Sequence, residues 1–230
     1  MEKQIKIYHG SEKNIIKPIF GEGKKNNDFG LGFYCTKDIN LAKEWAVSSL
    51  KDGFANKYIL NIEYLKILNL NSSEYTILNW IAILIEHRLF SLKSPVAQRA
   101  KKYLIDNFGI NVNAYDVIIG YRADDSYFDY AESFLNNSIT VEQLAKAMKL
   151  GKLGEQIVIK SQYAFSCLTY DGFEIAKKEE FYEYRKVRND NANKMYLDIL
   201  EDESDGLYIQ DIIRLEIKNN DTRIPRNISK

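Results

Sequence analysis

The strongest constraint on the fold is a change of period along the chain. Ile77, Trp80, Ile81, Leu84, Ile85 and Leu89 recur at helical spacing, whereas the apolar runs on either side are short and strand-like. Before this block lie Ile5 to His9, Tyr58 to Ile62 and Ile67 to Leu70; after it come Asp116 to Gly120, Gln156 to Lys160 and Tyr163 to Leu168. A sheet built from such runs has to close across the helical block. The chain therefore reads as α+β, with helices inserted into a sheet domain over residues 71–150. Inside the insertion a second helix is expected from Ser94 to Phe108, with Pro95 in its first turn. Asp125 to Leu135 and Thr140 to Leu150 also read as helical, the latter opened by the capping box Thr140-Val141-Glu142-Gln143. Asp38 is placed to cap a helix from Ile39 to about Leu50. Lys177 to Leu200 reads as a charged amphipathic helix, and Leu207 to Ile217 as a last one. The expected organisation is one domain over 1–176, with 177–230 as a helical extension packed on it.

Charge narrows the partners. Lys+Arg 32 balance Asp+Glu 32 in 230 residues, so the basic excess of a dedicated nucleic-acid binder is missing. Cys35 and Cys167 cannot make a disulfide scaffold; they are expected as free thiols in a reducing compartment, with one bridge as the alternative. The first residues lack a basic start followed by an apolar core. The longest apolar run, Trp80 to Ile85, is too short to span a bilayer. A cytoplasmic protein without a membrane partner is expected.

Several chemistries lack their residues. No phosphate-cradling P-loop is present, and Gly30 and Gly32 lack the third glycine of a dinucleotide fingerprint. Asp28-Phe29-Gly30 spells the kinase magnesium motif, but too little chain precedes it for a nucleotide lobe. There is no zinc helix, neither cysteine has metal-ligand spacing, and no metal is expected. Two glycines among the aromatics of Asp28 to Thr36 imply a tight bend and a close approach. Of the two histidines, His87 lies in a charged helical segment and reads as a surface or packing residue. His9 ends a strand just before Gly10-Ser11, which puts an imidazole and open backbone groups at one point. On the late helix, Tyr182, Tyr184, Arg185, Arg188 and Lys194 form either a solvated face or an interleaved basic and aromatic one.

Three motifs follow in order: Tyr8-His9-Gly10-Ser11, Phe29-Gly30-Leu31-Gly32-Phe33-Tyr34, and Glu155-Gln156-Ile157-Val158-Ile159. Together they resemble the His-Tyr-Glu signature of the ADP-ribosyltransferase superfamily, in its diphtheria-toxin and poly-ADP-ribose-polymerase branch. Ala42 to Ala46 with Trp45, Asp116 to Gly120, and Ala164 to Leu168 are similar to an uncharacterised bacterial domain family of the same clan. The resemblance covers most of residues 5–175. It implies a split-sheet core, NAD as substrate, release of nicotinamide, and transfer of ADP-ribose to a macromolecular acceptor; the missing basic excess favours a protein over nucleic acid as that acceptor. Glu155 would stabilise the ribose cation and bond the 2′-hydroxyl. His9 would bond the adenine-side ribose, the Gly10 backbone the carboxamide, and Ser11 the ribose. Tyr34 would stack on nicotinamide beside Gly32, with Trp45 or Tyr8 as a second aromatic wall. Adjacent strand residues face opposite ways, so only one of Glu155 and Gln156 can face the cleft; the resemblance gives the acid to Glu155. Asp124, Asp125 and Glu174 are candidate substitute acids, with the capping of a helix as the preferred reading of Asp124 and Asp125. Relatives of this size resemble toxins or effectors held by a small inhibitory partner. The alternatives are NAD hydrolysis, with water as acceptor, and a module that binds NAD or ADP-ribose without turnover.

Overall fold

The computed structural model describes residues 3–123, 125–148, 150, 154–202 and 205–226, with residues 125–127 by backbone alone. The fold is α+β, with two small sheets. Strands β1 (Gln4–Ser11), β3 (Gly53–Asn61) and β7 (Leu168–Ala176) form the first, in the order β1-β3-β7, antiparallel throughout. The second has the order β2-β6-β5-β4, built from β2 (Phe33–Cys35), β6 (Glu155–Ile159), β5 (Val117–Tyr121) and β4 (Ile67–Asn69). Only its β4–β5 pair is parallel. The sheets meet where Tyr8 and Thr36 exchange backbone hydrogen bonds of 2.8 and 2.9 Å.

The pleat of β6 divides the core. Ile157 and Ile159 join Cys35 and Val117, with Ile7, Tyr58 and Leu60 of the first sheet, in one apolar cluster. Val158 and Ile118 point the other way, into the helices. Those helices are built around α2 (Ile77–His87), whose residues from Ile77 to Ile85 are all buried, as a helix apolar all round must be. Fully burying one of its Leu or Ile side chains stabilises the fold by roughly 1.5–3 kcal/mol.

Around α2 lie α3 (Pro95–Phe108), α4 (Asp125–Leu135) and α5 (Val141–Ala147). Ala192, Tyr196 and Ile199 of α7 (Lys178–Glu201) and Ile209, Ile212 and Ile213 of α8 (Ile209–Arg214) complete the same cluster. Gln143 ties the end of α7 to α5, donating from Nε2 to Ile199 O at 2.9 Å and Asp202 O at 3.1 Å. The caps fall where side-chain chemistry puts them. Asp38 Oδ1 accepts from Asn40 N and Leu41 N ahead of α1 (Ile39–Ala46), Ser94 Oγ accepts from Ala97 N, and Thr140 with Gln143 closes a capping box.

Three expectations change. Residues 162–166 are not a strand but the short helix α6 (Gln162–Ser166), because Ser161 Oγ accepts from Ala164 N at 3.0 Å and starts a turn. The neighbouring strand is β7, which begins at Leu168 and alternates along its length. Helix α1 stops at Ala46, where Val47 turns extended, and Leu89 lies beyond α2 and is exposed. Cys35, buried, and Cys167, half-buried, are free thiols.

Candidate functional site

The segment after β1 folds back over the junction of the two sheets, and Asn56 of β3 holds it there. Asn56 is fully buried. Its Nδ2 faces His9 O at 3.2 Å, Ser11 Oγ at 3.1 Å and Lys13 O at 3.2 Å, and its Oδ1 accepts from Ile15 N at 2.7 Å. Tyr58 OH donates to Ile15 O beside it. Sequence reasoning missed both residues; the available signal was a polar Asn inside a strand.

The turn over residues 28–32 is fixed from several directions. Gly30 has φ +72°, and a Cβ there would lie 3.1 Å from His87 Nδ1. The close approach expected from the glycines is thus made by the protein's own histidine. Tyr34 OH donates to Gly30 O at 2.5 Å and accepts from Phe29 N at 3.1 Å. Burial pushes its pKa far above the ordinary phenol value. Lys160 Nζ donates to Phe29 O and Leu31 O, each at 2.8 Å, and burial brings its pKa down to about 8.

These constraints shape a cleft of about 880 Å³, lined among others by His9, Asp28, Tyr34, Trp45, Arg122 and Gln156. That volume suits a small organic ligand or nucleotide. His9 Nδ1 lies 2.7 Å from Tyr34 O. A carbonyl only accepts, so Nδ1 carries the proton and Nε2 is the acceptor. The ring stacks on Phe33 at 4.2 Å. Burial lowers its pKa, opposed by the Tyr34 carbonyl, and holds the imidazole neutral.

Asp28 and Gln156 form the polar centre of the cleft, both almost wholly buried. Gln156 Nε2 donates to Asp28 Oδ2 at 2.8 Å and lies 3.4 Å from Tyr121 O. Ala123 N donates to the same Asp28 oxygen at 2.9 Å, and Arg88 Nε stands 3.7 Å from the other. Burial raises the pKa of Asp28; the bonds from Ala123 and Gln156, with Arg88 and Arg122, oppose that rise. Every partner of its oxygens is a donor or a cation, which is the surrounding of a carboxylate. With Nε2 committed, the remaining polar atom of the Gln156 side chain is Oε1, an acceptor.

Glu155 does not line the cleft. It accepts from Asn71 Nδ2 at 2.7 Å and pairs with Lys37 at 3.5 Å, with its side chain 33% exposed. The structure therefore brings together His9, Gly32, Tyr34, Trp45 and Gln156, and leaves Tyr8, Gly10, Ser11 and Glu155 outside. Tyr8 pairs with Thr36, and Ser11 Oγ donates to Lys13 O at 2.6 Å. Gly10 packs against α1, where a Cβ would lie 2.0 Å from Ala42 O. Glu174, ion-paired with Lys43 at 2.8 Å and Lys57 at 3.7 Å, is also outside. Asp124 and the Asp125 side chain lie outside the described residues.

A family model described as a protein of unknown function (DUF3990) matches residues 5–170. The chain belongs to the DUF3990 family. No curated protein and no solved structure matches it. The DUF3990 match takes in the cleft residues of both sheets and of α1; Arg185, Arg188 and Asn189, on α7, lie past its end. Among the described residues no helix is long and apolar enough to cross a membrane, and no group of three or more His, Cys, Asp or Glu could hold a metal ion.

Proposed function

We propose that the cleft binds NAD as substrate and that the protein breaks the nicotinamide–ribose bond and passes ADP-ribose to a macromolecular acceptor. One observation carries this reading: His9, Tyr34 and the Asp28–Gln156 pair, drawn from three separate motifs, meet in one cleft. Nicotinamide leaves with the electron pair of the C–N bond, positive charge builds on the ribose, and the acceptor attacks there and loses its proton. Gln156 Oε1 takes the ribose 2′-hydroxyl in place of the acid that the resemblance assigns to Glu155. Asp28 stands behind that amide. Its charge favours the movement of positive charge from the nicotinamide ring to the ribose; at an effective dielectric near 20 a charge several ångströms away contributes at most on the order of 2 kcal/mol, at most roughly thirtyfold in rate. His9 Nε2 accepts from a ribose hydroxyl. Tyr34 acts through its ring, since its hydroxyl is committed to the turn.

The neutral amide at the cleft, with Glu155 outside, also favours a second reading: NAD or ADP-ribose held without turnover. Calorimetric titration of NAD and of ADP-ribose, followed by assay for free nicotinamide with a cell lysate as the source of acceptor, separates the two. The wild type is expected to bind, and His9→Ala to bind about tenfold more weakly, the loss of one good hydrogen bond. Binding without nicotinamide release selects the second reading. A wild type that takes up neither NAD nor ADP-ribose overturns both.

A further inference from the structure

We propose that the wall of the cleft built by α7 with α1 and the end of β5 is a phosphate-binding site, suited to a ligand that carries a diphosphate. The inference rests on the reading of the cleft as a nucleotide site, and extends it to a segment beyond the DUF3990 match.

Charge is the first argument. The whole chain is formally neutral, yet Lys13, Lys17, Arg88, Arg122, Arg185 and Arg188 line the cleft against Glu22 and Asp28 as the carboxylates. Arg88 is engaged with Asp28, Asn26 O and the Phe128 ring. Of the other cations, Lys13 and Lys17 lie on the segment after β1, and Arg122, Arg185 and Arg188 lie on the wall formed by the end of β5 and α7.

Arg188 is the second argument. Its side chain is only 15% exposed, so it is not the solvated face of a surface helix. Nη1 pairs with Glu44, but Nε and Nη2 are buried and have no hydrogen-bond partner. Two unmet donors of one guanidinium form a planar fork that matches two phosphate oxygens. A charged donor left dry is costly, and a ligand oxygen relieves that cost.

The surroundings fit the same ligand. The Arg122 guanidinium lies 4.4 Å over the Trp45 ring, which fixes its plane. Trp45 Nε1 is itself a buried donor without a partner. Glu44 pairs with Arg188 and is also attracted by Arg122, so one carboxylate serves two guanidinium groups. The site keeps a net positive charge in a desolvated place, where an anion is held most strongly.

Inorganic pyrophosphate is the probe, titrated by calorimetry into the full chain alongside NAD. Wild type is expected to bind it. The double variant Glu44→Gln with Arg188→Gln removes the two closely paired charges together. It is expected to keep the wild-type unfolding temperature within a few degrees and to bind both pyrophosphate and NAD at least tenfold more weakly. Glu44→Gln alone releases Arg188 from its partner and is expected to tighten pyrophosphate severalfold. Wild-type affinity in the double variant, or NAD binding by a wild type that ignores pyrophosphate, overturns the proposal. Pyrophosphate binding that depends on Arg188 in a protein that takes up no NAD upholds the phosphate site and removes the NAD reading.

Discussion

At pH 8, Gln156→Glu is expected to unfold about 10 °C below the wild type, and the gap is expected to narrow as the pH falls to 5. The substitution puts a second carboxyl where Gln156 Nε2 now lies 2.8 Å from Asp28 Oδ2. Two carboxylates that close cannot both ionise, so the pair shares a proton, and its folded-state pKa rises above the unfolded value. The folded state then binds a proton that the unfolded state has lost. Stability is present at low pH and is lost as the pH rises through the folded pKa. Leaving an uncompensated buried charge costs roughly 3–5 kcal/mol, and each kcal/mol shifts Tm by about 2–4 °C in a chain of this size. In the wild type, burial already raises the pKa of Asp28, so a weaker trend of the same sign is expected there. Thermal unfolding followed by circular dichroism at the two pH values reads the effect. An equal gap at both would mean that the two side chains do not meet.

Asp28→Asn is expected to slow nicotinamide release by up to roughly thirtyfold, the ceiling for a charge several ångströms from the reacting centre at an effective dielectric near 20, with a smaller loss of NAD affinity. The isostere keeps an oxygen for Ala123 N and Gln156 Nε2, so the turn survives and the lost term is electrostatic. Release by the wild type should fall on the acid side, as Asp28 takes up a proton at its raised pKa. The variant, with nothing to titrate there, should lack that arm. A stopped assay for nicotinamide between pH 4.5 and 8 measures both.

The helical insertion was legible because α2 repeats its apolar residues at 3.6 spacing and two helices around it carry standard cap residues, Ser94 ahead of Pro95 and Thr140 with Gln143; Asp38 marked α1 in the same way. The strand runs were legible where they were β-branched. Tyr163 to Ser166 failed that test: its aromatic residues suit a strand, but the Ser161 hydroxyl offered a helix cap, and local capping won. The register at Glu155 and Gln156 was hidden for a different reason. β6 is covered on both faces, by Ile157 and Ile159 on one and Val158 on the other. A strand apolar on both sides has no polar alternation to show which neighbour faces the cleft. His9, Tyr34 and Trp45 were found because they sit in motifs. Asn56 was not, since its role is to hold the backbone of another segment. Arg185 and Arg188 were visible as a basic and aromatic helix, but only tertiary packing shows that they turn into the cleft.

The central claim is that the polar centre of the site is Gln156 backed by Asp28, with Glu155 outside it. Nicotinamide release from NAD by wild type and Glu155→Gln, measured side by side, tests it most directly. Release by both is expected, at rates within about threefold, since an exposed ion pair such as that with Lys37 is worth little. A hundredfold loss in Glu155→Gln, of the size seen when a charge-stabilising group is removed from a reacting centre, would contradict it and return the catalytic acid to Glu155.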